Sequence, residues 1–426
     1  MRAVRLLALL LSALLVAVVA SIAVPAANAV AGVLALASGV VGFWVIRGPV
    51  RIVIAALVVV GIAGIVAGAL LGNPPGFAAL GSLNQDLIAM LASVSFVRLV
   101  IPTAEPSERG LRGWPAVVRT TLAVHALGSV INMSAVTLAA HRLAGGGRLP
   151  LADGVLLSRA YATGAFWSPF WLASAAAIAY LPGADVPFAM LCGAAVAVVA
   201  LLIGCFDVGR ALGDRRRTYR GYSLTPALLV VPVAMVVLVL VGHLLLPHTP
   251  IPRLVTASAL LVTFVGLLLR RDLARMARHA ASEISSVRSE AGLFVAAGIL
   301  TIGLAAVVGA VGPVIPLARY DVAVAWICLL ITVALALLGL HPIVTLALVG
   351  AVVLPADPEP TLFLVATLLG WGAATTVGVT SGLLMHLTSQ FGIDLRAIVT
   401  RNLTFVAIVA AVAWPALLAV EAWAPR

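Results

Sequence analysis

The sequence predicts an all-α polytopic membrane protein, with about eleven transmembrane helices plus two re-entrant hairpins in two inverted repeats. Three observations carry this prediction. Of the 426 residues, 63% are apolar and 10% charged, and apolar runs of about 20 residues recur from end to end, each able to cross a hydrocarbon core of roughly 30 Å. The 26 basic residues are all arginine and lie between those runs or at their ends. Finally, an interrupted apolar stretch at 117–172 has a counterpart in the second half. A transmembrane barrel would show short alternating segments instead.

The runs fall at 4–24, 27–46, 52–72, 82–101, 117–140, 154–182, 186–205, 225–246, 250–269, 291–313, 320–353, 361–390 and 398–420. The first begins MRAVR and ends VPAANA, the outline of a cleaved signal. Its apolar part spans nearly 20 residues, which favours an uncleaved first helix. Short linkers rich in Pro, Gly or Arg join the runs, among them RGPVR (47–51), NPPG (73–76) and PTAEPSERGLRGWP (102–115). No stretch reads as a soluble domain, so one membrane domain is expected to use the whole chain. In the third run Gly64, Gly68 and Gly72 form a small-residue ladder suited to helix packing or a dimer surface.

Arginine placement sets the topology, because basic loops stay cytoplasmic. Arg2 and Arg5 put the N-terminus inside. If 117–140 and 154–182 were both ordinary crossings, the Arg-dense loop 207–222 would fall outside. Making 117–140 a hairpin that enters and leaves from the cytoplasm keeps Arg142, Arg148, Arg159 and that loop inside. Likewise 320–353 must be a hairpin from the outside for Arg396 and Arg401 to be cytoplasmic, leaving Arg253, Arg319 and Arg426 outside. The bookkeeping gives an extra N-terminal helix (1–26), a first repeat (27–205), a basic cytoplasmic linker (206–224) and a second repeat (225–420) of opposite orientation.

The repeat is visible in the residues. SAVTLAA (134–140) and LGLHPIVTLALVGA (338–351) share a VTLA run, and GAATTVGVTSGLLM (372–385) stands where ATGAFWSPFWL (162–172) stood. Paired interruptions of apolar segments point to the binding site of a secondary transporter. In the first tip, GSVINMS (128–134), Gly128 is expected to make the turn while Asn132, Ser134 and Thr137 present neutral polar groups. In the second, Pro342 breaks the helical ladder, with Thr345 close behind. His341 is either a proton carrier or a neutral hydrogen-bonding group at that turn. Ser168-Pro169 and Thr380-Ser381-Gly382 interrupt the following crossings. Half-helix N-termini there suit an anion, and unwound carbonyls with hydroxyls suit Na⁺. Arg159, four residues before Thr163, is the candidate charge partner for a carboxylate substrate.

Several classes are disfavoured. The net charge of +11 comes from loop arginines that set orientation rather than bind nucleic acid. Cys192, Cys205 and Cys328 are scattered, with no disulfide or metal pattern. Asp86 and Asp153 sit near span ends, so no central carboxylate drives a proton pump. Na⁺ is the favoured coupling ion, with His125, His341 and His386 the proton alternatives. No paired carboxylates, His cluster or GxSxG motif speaks for an enzyme, and no cofactor is expected beyond Na⁺ as a coupling ion.

This layout, one helix plus two inverted five-helix units each holding a hairpin and then a broken helix, resembles the ion transporter superfamily. That group includes divalent-anion/sodium symporters and the membrane subunits of tripartite carriers. The symporters' tips carry Ser-Asn-Thr. Here the first reads Ile131-Asn132-Met133-Ser134, while the second has His341-Pro342 and no such triplet. The resemblance implies cation sites around Asn132 and Ser168 and around Thr345, Thr380 and Ser381, a homodimer, and an elevator movement. The expected function is transport of a small anionic solute across a bacterial inner membrane, coupled to Na⁺ or H⁺. A non-enzymatic subunit of a multi-component carrier and a membrane-embedded lipid-handling enzyme are the alternatives.

Overall fold

The computed structural model describes residues 2–76, 84–101, 112–222, 226–312 and 317–423. The start of the 82–101 run, most of the 102–115 linker and Arg426 lie outside the described residues. Among the described residues every element is helical: α1 (Arg2–Ala20), α2 (Ala27–Val45), α3 (Pro49–Leu70), α4 (Gln85–Val97), α5 (Trp114–Ile131), α6 (Met133–Ala144), α7 (Leu151–Ala162), α8 (Leu172–Tyr180), α9 (Val186–Ala211), α10 (Arg215–Thr218), α11 (Pro226–Leu245), α12 (Ile251–Leu269), α13 (Leu273–Ala281), α14 (Arg288–Val311), α15 (Val322–Leu337), α16 (Pro342–Val353), α17 (Pro360–Val377), α18 (Gly382–Phe391) and α19 (Leu395–Trp423). Short 3₁₀ turns cover Thr163–Phe166, Glu283–Val287 and Leu354–Ala356. Among the described residues, nine helical stretches are long and apolar enough to cross a membrane. The chain is a multi-pass membrane protein.

Where the sequence predicted one domain, the chain forms two compact units. One contains residues 1–101, 233–317 and 347–355; the other contains 102–232, 318–346 and 356–426. Each unit draws on both repeats, so sequence order and compactness partition the chain differently.

In the first unit α1 buries a helical stripe of Leu7, Leu11, Leu14 and Val18, so the N-terminal run is part of the core. α3 crosses α14 at backbone contact. A Cβ at Gly64 would lie 2.8 Å from the carbonyl carbon of Gly303, and one at Gly68 2.5 Å from the Ala306 Cβ. The small-residue ladder is therefore an internal helix contact in the register Gly61, Gly64, Gly68. Gly72 stands outside it, at φ +86 beyond the helix end. Asp86 is not merely solvated: Arg253 Nε donates to both its oxygens, at 3.0 and 3.1 Å, and Nη2 donates to Asn28 Oδ1 at 2.7 Å.

The linker after α12 carries a buried histidine. His279 on α13 is 1% exposed, packs edge-on to Phe96, and hydrogen-bonds Ser95 Oγ through Nε2 at 2.9 Å. Glu283 Oε2 lies 3.2 Å from its Nδ1 and 2.5 Å from Arg98. Burial first, then the neighbouring Arg98, holds the imidazole below its ordinary 6.5. An unfolded chain takes up the proton near pH 6.5 while the fold does not. The stabilising contribution is thus complete above that pH and is lost as pH falls through the lower folded value. The melting temperature should drop as the pH is lowered from 7.5 to 5.5, and His279→Gln should flatten that slope. Equal slopes in the two proteins would exclude His279 as the origin.

In the second unit α5 and α7 run parallel. His125 faces Ala160, Gly128 faces Tyr161, and Ser129 faces Gly164. Their starting ends lie together at one segment, where Tyr219 accepts from Gly113 N, Tyr222 N donates to Thr120, and the Tyr219 side chain lies against Asp153. α6 between them therefore brings the chain back to the side it left. The second copy repeats this. α15 and α17 run parallel, with Tyr320 against Phe363, Leu329 against Gly370, Ala336 against Gly378 and Gly339 against Thr380, so the chain between them must return to the side it left. The hairpins enter from opposite ends. α7 passes Gly204, near the C-terminal end of α9, at Arg159, whereas α17 starts where Asp185 N donates to Thr361 at the other end of α9.

Candidate functional site

The first hairpin turns at one residue. Asn132, between α5 and α6, has φ 57 and ψ −139, a strained backbone conformation that glycine adopts far more readily than any residue with a side chain. Gly128, expected at the turn, is instead inside α5. It is small because a Cβ there would meet Tyr161 Cδ2 at 2.9 Å. The Tyr161 hydroxyl donates a short hydrogen bond to Asn132 Oδ1. Tyr161 leans on Trp171 (centroids 4.6 Å apart), whose Nε1 donates to Gly128 O at 3.2 Å. With Oδ1 engaged, the Asn132 side chain offers its surroundings the two N–H donors of its amide.

The broken crossings are built alike. α7 ends at Ala162, one 3₁₀ turn follows, and α8 starts at Leu172. Ser168 Oγ donates to Ser129 O and accepts from Phe170 N at 3.2 Å. α17 ends at Val377 and α18 starts at Gly382, with Ser381 as its N-cap. Ser381 Oγ accepts from Leu384 N at 3.2 Å and donates to Thr375 O at 2.8 Å. Ser174 Oγ donates to Ser168 O at 2.7 Å, again six residues back. Ser174 is thus the counterpart of Ser381 in the first repeat, a pairing the sequence alignment on Ser168 missed.

The second tip is held to the second break. Gly339, at φ +95, makes the turn, and Thr380 Oγ1 donates to its carbonyl at 3.0 Å. Pro342 opens α16 rather than breaking it. His341 Nδ1 accepts from Ile343 N at 3.2 Å, and its ring stands edge-on to Trp371. His341 thus hydrogen-bonds at the turn through Nδ1. Thr345 is fully buried, and its Oγ1 has no hydrogen-bond partner among the described residues.

The first tip also meets the second break. A Cβ on Gly382 would lie 4.0 Å from Met133 Cε, so the first side chain of α6 reaches the start of α18. Thr137 Oγ1 lies 2.9 Å from His386 Nε2 and donates to Met133 O at 3.2 Å. Ser134 is half-buried one residue into α6. The contacts thus link α6 to α18 through Thr137 with His386 and Met133 with Gly382, Ser168 to α5 through Ser129, and Thr380 to the second tip. Nothing in the contacts joins Thr345 to these groups.

Arg159 does not join them either. It is 3% exposed, and each of its nitrogens has an acceptor: Nε on Asn402 Oδ1 at 3.1 Å, Nη1 on Asp207 Oδ2 at 2.7 Å and Nη2 on Arg401 O at 2.6 Å. It is an interior pillar rather than a free charge partner. Asp207, Asn402 and Tyr161 were not singled out in the sequence. A lone Tyr and a lone Asn inside apolar runs are the signal that could have found the last two, since each must bury a polar end against a partner.

Chemically, these groups are richer in donors than in free oxygens. Ser168 and Ser381 already both donate and accept, whereas the α6 N-terminus has no side-chain cap and the Asn132 amide has its oxygen engaged by Tyr161. Such an arrangement favours negative charge. Among the described residues no group of three or more His, Cys, Asp or Glu side chains is placed to hold a metal ion. No protein-family model matches this chain, and no curated protein matches it. Among solved structures it is similar to the Alcanivorax borkumensis YdaH transporter, whose crystal structure reveals an unusual topology. The TM-score is 0.43 at 14% sequence identity, over 86% of this chain and 85% of that one.

Proposed function

We propose that the protein is a secondary active transporter of a small anionic solute, coupled to Na⁺ or H⁺, in a bacterial inner membrane with its N-terminus in the cytoplasm. One observation carries the reading. In the second unit the first hairpin tip approaches the second broken crossing, with Met133 of α6 reaching the start of α18 and Asn132, held by the Tyr161 hydroxyl, at the turn just before Met133. Irregular backbone at membrane depth is tolerated where it lines a cavity or is covered by protein, and the donors suit a carboxylate or oxyanion. The chain is read as working as a homodimer of the elevator type, without a cofactor other than the coupling ion.

The purified protein, screened for thermal stability against small carboxylates and oxyanions with Na⁺ or choline as the cation, tests this. A ligand at about 100 times its Kd adds about 2.7 kcal/mol to stability, a readily measured shift. An anion that raises the melting temperature should also be taken up by proteoliposomes along an imposed Na⁺ or H⁺ gradient. No shift with any anion, together with no uptake, would refute the proposal.

A further inference from the structure

His125 on α5 is held by three groups that together fix its protonation. Trp167 Nε1 donates to its Nε2 at 3.2 Å, so Nε2 must be the unprotonated nitrogen. Nδ1 then carries the hydrogen, and it lies 2.9 Å from Thr163 Oγ1 and 3.3 Å from Ala160 O. Thr163 can accept there because its own hydroxyl hydrogen goes to Ala160 O at 2.9 Å. The imidazole thus bridges α5 to the 3₁₀ turn Thr163–Phe166 and to Trp167, the residue directly before the Ser168-Pro169 break.

A second proton is incompatible with this bridge. Bound at Nε2, it would set two N–H donors facing each other across 3.2 Å, while the Nδ1–H bond to Thr163 could persist. Trp167 would have to leave. Ser168, its neighbour, is tied to Ser129 O, three residues before Asn132. The charged and titratable groups on elements packed against α5 are engaged elsewhere or belong to other ends of their helices. Arg159 of α7 is turned to Asp207 of α9 and to Asn402; Tyr161 is spent on Asn132; Asp153 lies against Tyr219. His141 and Arg142 occupy the last turn of α6, Arg210 that of α9, and Arg215 to Arg217 form α10. Arg119 lies nearly two turns earlier on α5 itself. None of them hydrogen-bonds the imidazole.

We infer that His125 takes up the coupling proton at Nε2, and that this releases Trp167 and loosens the first broken crossing beside the anion cluster. The inference rests on the transport reading and names its coupling ion. The proton comes from bulk water and returns to it, and no covalent bond changes.

Hydrogen–deuterium exchange of the full chain in nanodiscs tests it, read on peptides spanning 160–172 and corrected for intrinsic rates. In the wild type, exchange there should rise at least tenfold between pH 8 and pH 5.5. His125→Gln keeps a neutral acceptor for Trp167 and should stay slow throughout. Trp167→Phe lacks the donor and should be fast at both pH values, which keeps the test valid if the glutamine variant folds poorly. A flat wild-type profile, or a step that persists in either variant, would overturn the inference. In proteoliposomes, a pH gradient should drive accumulation by the wild type, whereas His125→Gln should exchange labelled anion without accumulating it. Uptake driven by Na⁺ alone and indifferent to pH would overturn the inference and leave the transport reading standing. Absence of uptake under either gradient would end both.

Discussion

Asn402→Leu is expected to destabilise the protein by about 3–5 kcal/mol, the largest stability effect of any single polar substitution in the second unit. Asn402 is fully buried on α19 and makes three hydrogen bonds that tie its helix to α7 and α17. Its Nδ2 donates to Ser158 Oγ on α7 at 3.0 Å and to Thr376 O on α17 at 2.9 Å, and its Oδ1 accepts from Arg159 Nε at 3.1 Å. Leucine fills a similar volume, so the loss is one of partners rather than packing. A hydroxyl, a carbonyl and one edge of a guanidinium are stranded together, and the charged group dominates because a buried cation tolerates a missing partner least. Asp207→Asn should cost less. Asp207 is 40% exposed, and Arg159 keeps its bonds to Asn402 and Arg401 O. Thermal melts of the two variants in one detergent check the order. If Asp207→Asn is the more damaging, the ion pair, not the amide, holds these helices together. On the proposed transport reading, both variants, where they fold, should retain their affinity for the anion, because Arg159 is bonded to Asp207, Asn402 and Arg401 rather than to the groups around Asn132.

Why the sequence exposed the hairpins but not that network follows from how each is encoded. A hairpin is written locally and in charge parity. An Asn between two apolar runs, a Gly-Leu-His-Pro string, and arginines that must stay on one side are all readable without knowing what packs where. The breaks at Ser168-Pro169 and before Gly382 were legible for the same reason, whereas the first turn falls at Asn132, four residues past the glycine expected to make it. What those residues do was less so. Ser168 and Ser381 read as hydroxyls available to an ion, yet each is consumed closing its own break, because a helix end in apolar surroundings must satisfy its orphan backbone groups first. Arg159 finds its partners 48 and 243 residues away, and no spacing rule reaches that far. The division into two compact units was hidden too. Hydropathy reports where a helix is, while compactness depends on which faces of non-consecutive helices meet.

On the proposed transport reading, Asn132→Gly should abolish uptake with little net change in stability, because relief of backbone strain offsets the loss of the Tyr161 hydroxyl's acceptor. At φ 57 and ψ −139 the residue occupies backbone space that costs a side chain about 1–3 kcal/mol and glycine almost nothing. Glycine thus preserves the turn and removes only the amide, whereas alanine would confound lost chemistry with strain. The lost amide stands at the N-cap of α6, whose start has no side-chain cap and so favours negative charge. Asn132→Asp should be inactive for the opposite reason, since a carboxylate there repels an anion that the helix ends would otherwise attract. Tyr161→Phe is the finer probe. It keeps the amide but leaves Oδ1 without its donor, so the side chain is free to rotate. Losing one oriented hydrogen bond of about 1.4 kcal/mol corresponds to roughly tenfold weaker binding. The expected series in proteoliposome uptake is therefore wild type, then Tyr161→Phe with KM raised about tenfold, then Asn132→Gly and Asn132→Asp with none. If Asn132→Gly transports as well as the wild type, the amide is merely a turn residue, and recognition of the solute must lie with the helix termini alone.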